Sequence, residues 1–317
     1  MHTKRLPMTS DLVFRTVLGR DTPECKQALI AMLNLILDRR EDPIVDLEYK
    51  NPFHLNEYMI GKQTVMDIKV FASSGEIINV EMQVENLMFY ANRSVLYTGQ
   101  LSAEGLESGE DYDKIKRVIH VSIVSGEMKT GSDKYHGIYR YMEVDDKTEL
   151  SDLVELHYLK LNRLPKKPVE EMTALEQFGY YIACAGEEKQ QEEIETLVKA
   201  GEEAIVLADT ILRKASQEEI LREKERARKM WEMDQRVYQR LAKKEAEEEG
   251  MKRGLEKGLA KGLQQGIEQG LQQGVQILIE TCMELGLSRE AVKDRVMEKY
   301  DLSEDEAETC LQKYENA

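Results

Sequence analysis

Two carboxylates and an amide carry the chemistry most readily read from this chain: Asp67, Glu81 and Gln83. Glu81 and Gln83 are two residues apart, so on a β-strand both side chains point to one face. Asp67 precedes them on a separate apolar stretch. If the register of the two strands brings Asp67 to the same face, three oxygen-bearing side chains converge at one end of a sheet. Two carboxylates with a few waters suit a hard cation such as Mg²⁺ or Mn²⁺. Such an ion activates water and stabilises the charge that builds on a phosphate in a displacement. The same residues also read as ordinary solvent-facing strand positions, where acidic side chains are common. Against that stands the central place of these strands, because an unpaired carboxylate in the middle of a sheet is costly.

Positioning those residues requires strands with helices around them. Cys25 to Asp38 carries Ala28, Leu29, Met32, Leu33, Leu35 and Ile36 at helical spacing. Thr22-Pro23 supplies a cap and a first-turn proline. Ile44–Tyr49, Val65–Ala72 and Ile77–Val84 read as strands, the last two joined by a Ser73-Ser74-Gly75 turn. Phe89–Leu106 reads as a helix, Val118–Val124 as a buried strand, and Ile138–Met142 and Leu153–Leu161 as further strands. The order predicts an α/β sandwich with a mixed sheet.

Further motifs surround the carboxylates in order. Ser10-Asp11-Leu12-Val13-Phe14-Arg15 opens the series. Asp67-Ile68-Lys69-Val70 and Ile78-Asn79-Val80-Glu81-Met82-Gln83 follow, then Asn92-Arg93-Ser94-Val95-Leu96-Tyr97. Gly109-Glu110-Asp111-Tyr112 leads into Val118-Ile119-His120-Val121-Ser122-Ile123, and Ala215-Ser216-Gln217-Glu218-Glu219 comes later. From about residue 8 to 250 the chain resembles the Rpn family of recombination-promoting nucleases, transposase-associated members of the PD-(D/E)XK nuclease superfamily. The resemblance implies a restriction-endonuclease-like core and a Mg²⁺- or Mn²⁺-dependent DNA endonuclease linked to transposition or recombination. Asp67 and Glu81 would be the metal ligands, and Gln83 would stand where a lysine is usual. Arg93 and Gln100 would contact phosphate. Glu24 is the nearest candidate for a further acidic residue on the first helix. Glutamine hydrogen-bonds but carries no charge, so a second reading stays open: a catalytically weak nuclease-fold protein that binds DNA or assembles with itself.

The chain has 317 residues and a net charge of −16. Residues 1–180 hold 22 basic and 29 acidic side chains, a net of −7, which leaves −9 for the rest. Neither half offers a broad basic surface, so contact with DNA must rest on local patches and a metal and be salt-sensitive. No apolar run approaches the roughly 20 residues that span a bilayer. No apolar segment follows the basic start Met1–Pro7, and Cys25, Cys184, Cys282 and Cys310 are scattered. These features predict a cytoplasmic protein with reduced thiols.

The pattern divides the chain into a nuclease-like core over 1–168, a charged helical region over 169–249, a glycine-repeat helix over 250–276 and a small helical module over 277–317. Thr173/Glu176, Ser216/Glu219 and Ser303/Glu306 fit capping boxes. Arg222–Arg240 alternates in sign and reads as a solvated face. Gly250, Gly254, Gly258, Gly262, Gly266, Gly270 and Gly274 recur every four residues, each followed by an apolar residue. Each glycine costs a helix about 1 kcal/mol relative to alanine. The order points to a small-residue track along which another helix packs, hence a homo-oligomer. A flexible tether is the other reading.

Overall fold

A computed structural model of the chain describes residues 4–51, 53–54, 68–84, 89–106, 109, 111–128 and 132–315. The described residues fall into two compact units, Met1–Met233 and Asp234–Ala317.

The first unit is built on a mixed six-stranded sheet in the order β1-β2-β3-β4-β6-β5. Its strands are β1 (Leu47–Tyr49), β2 (Ile68–Ala72), β3 (Ile77–Gln83), β4 (Val118–Val124), β5 (His136–Met142) and β6 (Glu149–Lys160). β1–β2, β2–β3 and β5–β6 are antiparallel, whereas β3–β4 and β4–β6 are parallel. The α/β class and mixed sheet predicted from the sequence are therefore observed. At the Ser73–Gly75 turn the Gly75 amide donates to the Ala72 carbonyl at 2.9 Å, with Gly75 at φ +94°. That left-handed conformation suits a residue without Cβ.

Strand alternation decides what each face meets. Ile78, Val80 and Met82 of β3, with Ile119, Val121 and Ile123 of β4, enter the main core. There they pack with α1 (Asp11–Leu18), α2 (Pro23–Ile36), α4 (Ala174–Cys184), α5 (Gln191–Ala200) and α6 (Glu203–Ala215). Thr22 caps α2 by accepting from the Cys25 amide, and Thr173 and Glu176 form the expected box on α4. Ser216 behaves differently from expectation. It ends α6, and its hydroxyl accepts from the Leu6 amide at 3.0 Å, so the amino-terminal strap claims the side chain.

The opposite face carries Ile77, Asn79, Glu81 and Gln83 of β3 and is covered by α3 (Tyr90–Glu104). The buried stripe of α3 is Tyr90, Ser94, Thr98 and Leu101. Ser94 and Thr98 donate back to the carbonyls of Tyr90 and Ser94 at 3.1 Å each, which lets a polar stripe be buried without orphaned hydroxyls. Leu101 closes an apolar patch with Ile77 and Val118. The half of the interface beneath the start of α3 is left polar.

Helix α7 runs over Glu219–Glu284. The start of its charged run is not a solvated face: Leu221, Glu225 and Arg228 are buried. Glu225 accepts from the Ser10 hydroxyl at 2.7 Å, and Arg228 donates to both Glu225 oxygens. The solvated reading fits later residues of the run, including Arg236 and Arg240.

In the second unit, α8 (Arg289–Tyr300) and α9 (Glu304–Glu315) fold onto the end of α7 around Val275, Ile279, Cys282, Val292, Val296, Ala307 and Leu311. Ser303 and Glu306 form the expected box. The repeat glycines lie within α7. A Cβ at Gly250 to Gly270 would meet nothing within 4 Å, whereas one at Gly274 would lie 2.5 Å from the Tyr300 hydroxyl. Within the chain, close approach is realised at Gly274 alone among the described repeat positions. Among the described residues no helix is long and apolar enough to cross a membrane.

Candidate functional site

The polar half-face centres on Glu81, which is 2% exposed. Its position follows from the parallel pairing of β3 with β4, where Glu81 stands opposite Ser122 and Asn79 opposite His120. Three donors converge on Glu81 Oε2: the Tyr90 hydroxyl at 3.0 Å, Arg93 Nη2 at 3.1 Å and Gln83 Nε2 at 3.2 Å. Asn79 Nδ2 donates to Oε1 at 3.3 Å. Each partner offers a hydrogen to the carboxylate oxygens.

Tyr90 is fixed as a donor. Burial, and then the adjoining Glu81 charge, push its hydroxyl well above the ordinary tyrosine value. A phenol has one hydrogen. With that hydrogen on Glu81, the 2.8 Å contact between Tyr90 Oη and Ser122 Oγ is made by the serine hydrogen. Asn79 Nδ2 also lies 3.0 Å from His120 Nδ1. Burial pushes the fully buried His120 down to about 4, so the ring is neutral. Nδ1 then accepts from Asn79, and Nε2 carries the proton. The imidazole thereby turns the asparagine NH₂ toward Glu81.

This cluster is incompletely satisfied. Asn79 Oδ1, His120 Nε2 and Arg93 Nε are buried with no hydrogen-bond partner among the described residues. The Arg93 guanidinium lies 4.9 Å from the Tyr90 ring centroid and 5.7 Å from that of Tyr97, and its side chain is 28% exposed. Among the described residues it is the cation that reaches Glu81.

Of the residues singled out from the sequence, Glu81, Gln83 and Arg93 are brought into direct contact. Asp67 lies outside the described residues. Gln100 is exposed on α3, seven residues and so about 10 Å along the helix from Arg93, and the structure does not bring it to Glu81. Glu24 is corrected: it is exposed in the first turn of α2, in the helical layer across the sheet from Glu81. Tyr90, Asn79, His120 and Ser122 were missed. Their signal was present as polar residues every second position in two otherwise apolar strands, Asn79-Glu81-Gln83 and His120-Ser122. Among the described residues no group of three or more His, Cys, Asp or Glu side chains is placed to hold a metal ion.

Basic side chains gather elsewhere on this face. Lys50 and Lys116 lie 4.3 and 4.9 Å from the Phe71 ring centroid, and Lys69, opposite Asn79 on β2, pairs with Glu104.

A family model described as PD-(D/E)XK nuclease family transposase matches residues 8–242. Neither the curated proteins nor the solved structures provide a match.

Proposed function

The chain belongs to the PD-(D/E)XK nuclease family transposases, and from that premise we propose that it is a metal-dependent DNA endonuclease acting in transposition or recombination, with its site at Glu81. The observation that carries the reading is a buried carboxylate on a central strand, surrounded by donors and by three buried polar atoms without partners among the described residues. The Glu81 oxygens are themselves engaged, and the spare hydrogen-bonding capacity lies on the residues that hold them.

With Asp67 added from its place in the sequence, the donor set would suit a hard divalent ion. Ile68 and Val80 are direct cross-strand partners. Asp67 immediately precedes Ile68 in the chain and Glu81 immediately follows Val80. Asp67 and Glu81 would hold Mg²⁺ or Mn²⁺, with Gln83 alongside. The ion would supply Lewis-acid activation of water and neutralise charge building on the scissile phosphate. The chain's own residues perform the rest. Tyr90 and Asn79 hold the Glu81 carboxylate in place. Arg93 offers a charge to a backbone phosphate. Lys50 and Lys116 form a local patch for the DNA backbone despite the overall negative charge.

A plasmid-nicking assay with Mg²⁺ or Mn²⁺ tests this. The parent is expected to cut, and Asp67→Ala and Glu81→Gln are each expected to lose at least about a thousand-fold in rate, roughly 4 kcal/mol of barrier. Undiminished cutting by either variant would remove that residue from the site. Binding without cutting by the parent would favour the second reading, a catalytically weak DNA-binding protein, which the glutamine at position 83 makes chemically reasonable.

The glycine repeat supports assembly as a homo-oligomer. Met251, Leu255, Leu259, Leu263, Ile267 and Leu271 are all exposed, by 43–80%, and covering them in a second copy would stabilise both chains. Light scattering is expected to give a dimer or larger species for the full chain and a smaller species for a truncation ending at Glu249. A truncation that keeps the parental oligomer would move the contact into the nuclease core.

A further inference from the structure

The Glu81–Arg93 pair joins a buried carboxylate to a half-buried guanidinium and is weakly closed. Arg93 has five N–H donors, yet a single contact, Nη2 to Glu81 at 3.1 Å, joins it to the carboxylate. Its Nε is buried and without a partner among the described residues. The rest of the guanidinium leans on two aromatic rings and reaches solvent. Neutral donors from Tyr90, Gln83 and Asn79 hold the carboxylate's position independently of Arg93. Arg93 therefore supplies charge without being needed to orient Glu81.

A divalent cation on the Glu81 carboxylate would stand within a few ångströms of that guanidinium. Two cations on one buried carboxylate repel strongly where water is scarce, so they compete for it. We propose that Arg93 is the exchangeable counter-ion of Glu81: it balances the carboxylate while the divalent site is empty, and yields it when the cation arrives, freeing the guanidinium for a DNA phosphate. The faces of Tyr90 and Tyr97 give the released guanidinium a surface to rest on. The exchange keeps a buried carboxylate from standing uncompensated in the metal-free protein. It also makes metal entry and phosphate binding cooperative through one side chain. This inference rests on the metal-site reading of Glu81.

The test uses the full chain and Mn²⁺ alone, with no DNA. Thermal unfolding and calorimetric Mn²⁺ titration are compared for the parent, Arg93→Met, Arg93→Lys and Glu81→Gln. Arg93→Met is expected to melt roughly 5–10 °C lower without metal. It is also expected to bind Mn²⁺ about ten-fold more tightly and to recover most of the lost melting temperature when loaded. Arg93→Lys keeps the charge but loses the planar fork, so its Mn²⁺ affinity should rise by a factor of about two to three. That variant carries the test if Arg93→Met does not fold. Glu81→Gln should bind Mn²⁺ poorly. If the parent binds Mn²⁺ through Glu81 but the Arg93 variants bind it no more tightly, Arg93 is a structural partner and the exchange is overturned while the metal site stands. If the parent binds no Mn²⁺, or Glu81→Gln binds it as the parent does, the metal-site reading falls and the exchange falls with it.

Discussion

Asp209 and Glu81 are both buried carboxylates, 2% exposed, each beside a tyrosine hydroxyl and an arginine. Their surroundings differ in closure. Arg5 reaches both oxygens of Asp209, at 2.5 and 3.2 Å, and Arg213 adds a second guanidinium at 2.6 Å. Arg5 and Arg213 are also shared with Glu195, and Gln191 takes another Arg5 hydrogen. Two positive and two negative side chains thus form a closed, neutral network that ties the amino-terminal strap to α5 and α6. Among the described residues none of its members is left with a buried unpartnered polar atom. Around Glu81, among the described residues, one arginine contributes one hydrogen bond, neutral donors do the rest, and three polar atoms are left over. A network built for stability uses up its hydrogen-bonding capacity. A site that must accept a ligand holds some in reserve.

Removing the same charge isosterically at both places separates them most sharply. Asp209→Asn leaves two arginines sharing one carboxylate, one of them fully buried, and is expected to destabilise the chain by about 3 kcal/mol in urea unfolding. Glu81→Gln keeps an oxygen for Tyr90, Arg93 and Gln83, and is expected to change stability by less than about 1 kcal/mol while abolishing cutting. Equal losses in the two variants would mean that Glu81 is as structural as Asp209, and the contrast would collapse.

Acid probes the unfinished cluster more gently. His120 is held near 4, below its unfolded value of about 6.5. Between those values the unfolded chain binds more protons than the folded one, so stability falls as pH drops from about 6.5 toward 4. The share from His120 is about 2 kcal/mol between pH 7 and 4.5. His120→Gln should flatten that part of the profile. His136, also lowered to about 4 by burial and then by His157, keeps its own contribution in the variant. A profile that His120→Gln leaves unchanged would show that the ring is not the neutral acceptor that orients Asn79.

Much of this molecule was legible before folding. The alternation in Ile77–Gln83 and Val118–Val124, the Ser73–Gly75 turn and the Thr22, Thr173 and Ser303 caps are local, and local rules recovered them. Family motifs and strand alternation also pointed to Glu81, Gln83 and Arg93, because they are close in sequence and one helix follows one strand. Other features depended on partners far along the chain. Ser216 reads as a helix start until the Leu6 amide, 210 residues away, takes its hydroxyl. Glu225 and Arg228 read as solvated until Ser10 arrives. Glu24 reads as a site residue until alternation sends its helix to the opposite face. By itself, then, the sequence determined which residues alternate, cap and carry charge. The tertiary structure alone decided which of those charges are closed off and which are left open, because hydrogen-bond closure depends on strand order and helix placement, and no local pattern encodes either.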